Sequence, residues 1–270
     1  MIAKTCIAAL LCCEFAMAQS PSATAPSQPA TPKSAADALV DQLVENYVTL
    51  RATLPSLTAH ETVETHATRG ILWQNTSGEG TVRVQRNSSG GGLKETHDMT
   101  VVNGKPIAPD EQKAQAQMKK EPTQPANAFF GLQETFFGRR SRPCFSYTLA
   151  PQPVKDGSIE LRFASISESA TAPKCQRELD GLTGFARIDP ATHQLTHLEY
   201  VTPTQIGPNA PFASTDYGPV RLGDKTFWLP AMATSSYAIN DGKVHVHTTI
   251  HYSDYHQYTA TSAIVPTASE

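Results

Sequence analysis

Four of the nine histidines in the 270-residue sequence lie in one short stretch, VHVHTTIHYSDYHQY, which begins at Val244. His245, His247 and His251 are separated by even numbers of residues, so on a β-strand their rings would lie on the same face. Two histidines in an H-x-H pattern are close enough to share a zinc ion, whereas His251 lies about 13 Å farther along an extended strand. His245 and His247 are therefore the candidate metal ligands, and the missing ligands would have to come from His193, His197, Asp216 or another neighbouring residue.

The same stretch has a simpler interpretation as a strand with one buried face. Val246, Ile250 and Tyr252 alternate with the histidines, a pattern typical of a strand that turns apolar side chains to a core and polar ones to solvent. The sequence contains no G-x-S-x-G, G-x-x-x-x-G-K-[ST] or H-E-x-x-H motif. We therefore expect a non-catalytic protein without a cofactor, and a zinc-dependent hydrolase that uses His245 and His247 is the less favoured hypothesis.

The N-terminal residues predict export from the cytoplasm. Lys4 precedes a short apolar run that ends in Ala16-Met17-Ala18, an arrangement typical of a secretory signal peptide that is cleaved after Ala18. The run is too short for a membrane-spanning helix, which needs about 20 apolar residues, and we expect no transmembrane segment in the mature chain. Residues 1–18 are therefore expected to be removed, and the mature protein is expected to be periplasmic or extracellular.

Export also determines how the cysteines are interpreted. The mature chain keeps only Cys144 and Cys175, and an even pair in an oxidising compartment is most simply one disulfide. The two residues are 31 positions apart, so the cross-link would stabilise the folded chain by roughly 3–4 kcal/mol by restricting the unfolded chain. The formal net charge of −3 gives no electrostatic support for a nucleic-acid partner.

Composition divides the mature chain into a tether, one domain and a tail. Residues 19–33 are rich in Pro, Ser, Ala and Thr and lack large apolar residues, so we expect a disordered tether. Residues 34–260 are expected to form one α+β domain, and residues 261–270 a tail. Ser34 is expected to cap an amphipathic helix whose apolar residues recur at three- and four-residue spacing as far as Leu54, before a proline ends it.

Beyond this helix the sequence mostly predicts β-strands joined by tight turns. Alternating segments such as GTVRVQR and STDYGPVRL are bounded by the turn sequences NGK, GDK and NDGK, and helix-length crossovers are missing between the strands. Successive strands with such short connections form an antiparallel meander. The expected fold is therefore α+β, with an antiparallel sheet that the N-terminal helix needs as its packing partner.

The segment NAFFGLQETFFG in the middle of the chain is the most apolar helix candidate. Phe129, Leu132 and Phe136 fall at helical spacing, and Phe130 and Phe137 lie seven residues apart. This cluster either plugs the sheet as part of a filled core or covers an apolar cavity as a mobile lid. On the second interpretation all five residues are candidate ligand-binding residues.

Short motifs in the second half resemble a known group of exported proteins. The hairpin turn DPATHQ, DYG at Asp216 to Gly218, FWLP at Phe227 to Pro230 and the closing YSDY are similar to motifs of uncharacterised secreted bacterial proteins. Those proteins are in turn similar to the outer-membrane lipoprotein-sorting (LolA-like) carriers of the periplasm. The resemblance covers residues 35–258.

This resemblance implies a strongly curved antiparallel sheet, an open half-barrel, with the N-terminal helix and the middle helical segment packed on its concave face. It further implies a non-catalytic protein that binds a lipid, a lipoprotein acyl chain or another hydrophobic ligand in an apolar cavity. The alternative is an interaction or scaffold module of the cell envelope with a filled core, whose partner would be an envelope protein.

Overall fold

A computed structural model describes residues 34–86, 93–108, 131–151, 154, 156–166, 175, 181–201, 212–239 and 242–258. Within these residues the chain forms an N-terminal helix, a short middle helix and eleven strands that hydrogen-bond into a single sheet. The sheet is not closed into a barrel, so the prediction of an α+β fold with an open antiparallel sheet is confirmed. The predicted signal peptide, tether and tail lie outside the described residues.

The N-terminal helix, α1, spans Ala35–Thr53, as its apolar spacing predicts. It begins after Ser34, whose side-chain oxygen accepts a 3.1 Å hydrogen bond from the backbone N–H of Asp37. It ends at Leu54, where the backbone becomes extended because the next residue is a proline. Among the described residues no helix is long and apolar enough to span a membrane. The buried side chains of α1 form one stripe: Ala36, Val40, Leu43, Val44 and Tyr47.

The second helix, α2, spans Gly131–Phe137, and a 3-10 turn follows at Arg142–Cys144. The strands, numbered in chain order, are β1 Leu57–Arg69, β2 Leu72–Arg86, β3 Leu93–Val102, β4 Lys105–Pro106, β5 Phe145–Leu149, β6 Ile159–Ser165, β7 Thr183–Ile188, β8 Leu195–Val201, β9 Phe212–Leu222, β10 Lys225–Ile239 and β11 Val244–Gln257.

The strands lie in the order β4-β3-β2-β1-β11-β10-β9-β8-β7-β6-β5, and neighbouring strands are antiparallel. Two meanders therefore meet where the first strand pairs with the last, from Leu57 opposite Gln257 to Thr68 opposite His245. The β1–β11 pairing converts two local hairpin arrays into one sheet.

Both helices lie on one face of the sheet, which we call the inner face. One buried cluster packs α1 and α2 against strands β5 to β9, and it includes Val40, Leu43, Phe136, Phe137, Leu161, Phe163, Ala186, Leu198 and Tyr217. A second cluster surrounds the end of α1 and includes Leu54, Leu57, Val82, Val84, Leu222, Phe227, Leu229 and Tyr252. The predicted disulfide between Cys144 and Cys175 is confirmed, and Cys144 belongs to the first cluster.

Candidate binding site between the helices and the sheet

The two phenylalanines at the end of α2 are core residues. Phe136 is fully buried, and its ring centroid lies 4.3 Å from that of Phe163 and 5.1 Å from that of Phe145. Phe137 is also fully buried, and its ring stacks on Tyr147 at a centroid distance of 6.4 Å. Aromatic pairs in such offset or edge-to-face arrangements add to the free energy gained by burying their surface. These contacts hold α2 on the inner face of the sheet.

The structure thus brings together three of the five predicted ligand-binding residues. Leu132 lies half-buried on α2 against the same cluster as Phe136 and Phe137. Phe129 and Phe130 lie outside the described residues. The role of all five in ligand binding stays a prediction.

A small apolar gap remains where α1, α2 and the sheet meet. Its volume is about 40 Å³, which is room for a few water molecules at most. An acyl chain would therefore fit only if α2 moved away from the sheet. The apolar part of the lining consists of Leu43, Tyr47, Leu50, Phe137, Leu195 and Trp228.

The carboxylate of Glu134 on α2 tethers this helix to α1. It accepts a hydrogen bond from the hydroxyl of Tyr47 and a 2.6 Å ion-paired hydrogen bond from Arg51. Burial, together with the hydrogen bond to Glu134, raises the pKa of Tyr47, so its hydroxyl stays protonated and able to donate. The side chains of Arg51 and Glu134 are 35% and 51% exposed, and an ion pair this accessible to water contributes about 1 kcal/mol or less.

The segment after α2 is also held to α1 by ion pairs at the surface. Asp37, Asp41 and Glu45 recur every four residues and therefore lie on one side of α1. Arg142 contacts Asp41 at 2.7 Å and Asp37 at 3.7 Å, and Arg139 contacts Glu45 at 3.0 Å. The sequence analysis did not predict this contact, for which the four-residue spacing of the acidic residues was the available signal.

A buried polar cluster on the inner face was missed by the sequence analysis. The two ring nitrogens of His97 on β3 lie 2.6 Å from Glu61 and 2.7 Å from Glu95. Glu61 is on β1, two strands away from His97, and its partner on the intervening strand is Gly80. Since glycine has no side chain, the imidazole can reach across β2. The cluster therefore depends on the register of three strands.

This cluster carries a charged histidine. Burial alone would lower the pKa of His97, but the hydrogen bonds and charges of Glu61 and Glu95 outweigh it and raise the pKa to about 9. At neutral pH the protonated ring donates a hydrogen bond to each carboxylate. The carboxylates are 1% and 5% exposed, so the cation between them offsets two charges that have lost their hydration.

The structure places the candidate metal ligands on the outer face of the sheet, opposite the helices. On β11, Val246 is buried, His245 is half-buried and His247 is exposed. The strand partner of His247 on β1 is His66, whose ring nitrogen hydrogen-bonds to Asn75. In the described part of the chain no group of three His, Cys, Asp or Glu side chains could hold a metal ion.

Another histidine that could have supplied a third ligand lies elsewhere on the sheet. His197 on β8 is 2.6 Å from Asp216 on β9, and the ring also lies 3.7 Å from Glu199. The strand β10 separates this pair from His247 on β11. The structure therefore does not bring His197 and Asp216 to the H-x-H pair.

Comparison with known proteins gives fold neighbours but no family assignment. No family model matches the sequence, and no curated protein matches it closely. A LolA superfamily protein from Nitrosomonas europaea is 10% identical, with a TM-score of 0.34 and coverage of 82% of this chain and 94% of that chain. A putative outer membrane lipoprotein-sorting protein domain from Vibrio parahaemolyticus is 9% identical, with a TM-score of 0.43 and coverage of 82% and 93%.

A DUF1329 family protein from Desulfovibrio piger is 11% identical, with a TM-score of 0.36, and the match covers 83% of this chain and 95% of that chain. These matches agree with the resemblance found in the sequence. At such low identities and TM-scores they carry no argument about function.

Proposed function

We propose that this protein is an exported, non-catalytic binder of a lipid acyl chain or another hydrophobic ligand, held between α1, α2 and the inner face of the sheet. The proposal is carried by the apolar gap beside Phe137, because one wall of this gap is α2, whose ion-paired tether to α1 is open to water. Export is supported by the N-terminal sequence and by the Cys144–Cys175 disulfide, since disulfides persist in oxidising compartments.

Free-energy magnitudes favour a long ligand over a small one. Exposing Phe136 and Phe137 would cost roughly 3–6 kcal/mol at about 1.5–3 kcal/mol for each side chain. The surface tether through Glu134 adds about 1 kcal/mol or less. An acyl chain gains about 0.8 kcal/mol for each buried methylene, so ten methylenes return about 8 kcal/mol. A long acyl chain can therefore replace the contacts of α2, whereas a short apolar molecule cannot.

Native mass spectrometry of protein purified from an envelope fraction tests whether a ligand is bound. We expect a population that carries additional mass and loses it on extraction with organic solvent. Titration of the extracted protein with a fluorescent long-chain fatty acid should then show saturable binding, and a four-carbon analogue should not compete.

A variant that weakens the tether between α2 and α1 is expected to bind the fatty acid more tightly. Glu134→Gln removes the ion pair with Arg51, so α2 should leave the sheet more readily and the affinity for the fluorescent fatty acid should rise by about two- to fivefold. Glu160→Gln is the matched control, because Glu160 pairs with Arg162 at 2.8 Å within β6 and alternates with Leu161 and Phe163, the β6 residues in the cluster that contains α2. Ligand-free protein from the envelope, with no fatty-acid binding by either the wild type or Glu134→Gln, would refute the proposal.

A further inference from the structure

The exposed large hydrophobic residues are concentrated at one end of the sheet. Six such residues are found in the described part of the chain, and only Leu149 lies on the β5 edge. Ile71 is 97% exposed, and Leu72 and Trp73 are each 69% exposed. The other two are Tyr237 and Ile239 at the end of β10. We call these five residues, Ile71, Leu72, Trp73, Tyr237 and Ile239, the hairpin rim.

Strand register brings the rim residues together although they are far apart in sequence. Trp73 pairs with Thr68, Thr68 pairs with His245, and His245 pairs with Ala238. This row crosses three strand spacings, so Trp73 and Ala238 are about 14 Å apart. The β1–β2 and β10–β11 hairpins therefore end side by side at the same level of the sheet.

Apolar side chains stand out on both faces of this end. Trp73 shares a face with Ala238, because paired residues lie on the same side of a sheet. Tyr237 and Ile239 are the chain neighbours of Ala238 and therefore lie on the opposite face. Ile71 is in the turn itself, between the two faces. A flat protein partner would cover one face only, whereas an apolar medium surrounds the whole edge.

The dimensions and side-chain types of the rim suit the interface of a bilayer. Gln74 and Tyr237 lie in one row of paired residues across the sheet, one residue farther from the turns than the row of Trp73 and Ala238. Ile71 in the turn is three residues along the chain from Gln74. The apolar band is therefore about 10 Å deep at about 3.3 Å per residue, close to the depth of about 5–10 Å to which interfacial segments insert. Trp and Tyr are the residues most enriched at this depth.

The charges beside the rim have the sign that attracts anionic lipid. Arg69, the last residue of β1, and Lys243, in the turn before β11, are both exposed. The described segments 65–78, 235–239 and 242–253 contain no Asp or Glu. Asp241 precedes Lys243 by two positions in the sequence and lies outside the described residues, so Arg69, Lys243 and Asp241 together carry a formal charge of +1. Cations next to an inserted apolar tip can bind lipid phosphates at the surface of the membrane.

We propose that the hairpin rim docks this protein onto the surface of a lipid bilayer that contains anionic lipid. The rim inserts to the level of the interface, and Arg69 and Lys243 contact the headgroups. This proposal does not depend on ligand binding between the helices and the sheet.

Vesicle sedimentation tests the apolar contribution. The protein is produced by export, and mass spectrometry verifies its N-terminus, because an uncleaved leader would itself bind lipid. Wild-type protein should sediment with vesicles of phosphatidylcholine and phosphatidylglycerol, and Ile71→Ser/Trp73→Ser should lower the partition coefficient about tenfold or more. Leu149→Ser replaces an exposed apolar residue on the far edge of the sheet and should leave it unchanged.

The charge contribution is tested on the same vesicles. Arg69→Gln and Lys243→Gln should each reduce sedimentation with the anionic vesicles about fivefold and should have no effect with phosphatidylcholine alone. Equal binding of the wild type to both vesicle types would overturn the role of the two cations.

A spectroscopic measurement leaves the rim intact and does not depend on the folding of the rim variants. The chain contains two tryptophans, so Trp228→Phe makes Trp73 the only one. Its emission should shift to the blue on addition of anionic vesicles and should be quenched by brominated lipid. Unchanged emission, or wild-type sedimentation by Ile71→Ser/Trp73→Ser, overturns the proposal. A third result would also overturn the proposal: the wild type binds no vesicles and forms a dimer, and Ile71→Ser/Trp73→Ser abolishes that dimer. In that case a second copy of the chain covers the rim.

Discussion

Replacing His97 with glutamine removes the positive charge that lies between two buried carboxylates. Glutamine can still donate one hydrogen bond, but it leaves Glu61 and Glu95 as two negative charges with little access to water. A pKa that rises from 6.5 to about 9 on folding corresponds to a stabilisation on the order of 3 kcal/mol. Breaking a buried ion pair by removal of one partner typically costs about 3–5 kcal/mol. We therefore expect His97→Gln to lower the free energy of unfolding by about 3 kcal/mol at pH 6.

The pH dependence distinguishes a charged histidine from a neutral one. The folded-state pKa of His97 lies above its unfolded-state value, so the stabilisation is complete below pH 6.5 and is lost as the pH rises through about 9. The variant lacks this contribution at every pH. The difference in stability between the wild type and His97→Gln should therefore be largest near pH 6 and smallest near pH 10.

Urea unfolding at pH 6, 8 and 10, followed by circular dichroism with the disulfide intact, measures this difference. His251→Gln is the control, since His251 is exposed on the outer face of β11 and the substitution should change stability by about 0.5 kcal/mol or less. The reasoning is wrong if His97→Gln is as stable as the wild type at pH 6. It is also wrong if His97→Gln loses as much stability relative to the wild type at pH 10 as at pH 6.

Two further predictions concern the strands around the core. Replacement of Cys144 and Cys175 by serine should lower the free energy of unfolding by roughly 3–4 kcal/mol, measured by denaturant titration under non-reducing conditions. Gly184→Ala places a Cβ atom 2.1 Å from the backbone oxygen of Glu199, so β7 or β8 must shift, and we expect a loss of about 1–3 kcal/mol in the same titration. Gly218→Ala is the matched control because its Cβ atom would meet no atom within 4 Å. Equal stability of the two alanine variants would contradict the packing argument.

Local patterns predicted α1 and most of the hairpins, because their signals lie within a few residues. Apolar spacing and the cap at Ser34 define the first helix, and turn sequences bound most of the strands. The β5–β6 hairpin was missed, although Ile159, Leu161 and Phe163 on β6 alternate correctly for a strand with one buried face. The β1–β11 pairing left no local signal, since the two strands are at opposite ends of the domain.

The buried cluster of His97, Glu61 and Glu95 could not be predicted from local sequence patterns. Glu61 shares its parity on β1 with the buried Leu57 and Ala59, which is the one available hint that its carboxylate faces the core. Whether His97 can reach it depends on the register of β2 and on Gly80 lying at the crossing point. Register is set by the packing of the whole sheet, so a single strand does not contain this information.

The two proposed surfaces lie far apart on the sheet, and this separation has a consequence for ligand exchange. Trp228 lines the gap beside α2 and Tyr237 belongs to the hairpin rim, nine residues farther along β10. The gap is therefore about 30 Å from the rim along the strand. If the rim rests in the headgroups, an acyl chain cannot pass from the bilayer into the gap in one step. It has to travel along the inner face or arrive from solution. Rim substitutions should consequently change membrane association without changing the affinity for a fatty acid added in solution, and Glu134→Gln should do the reverse.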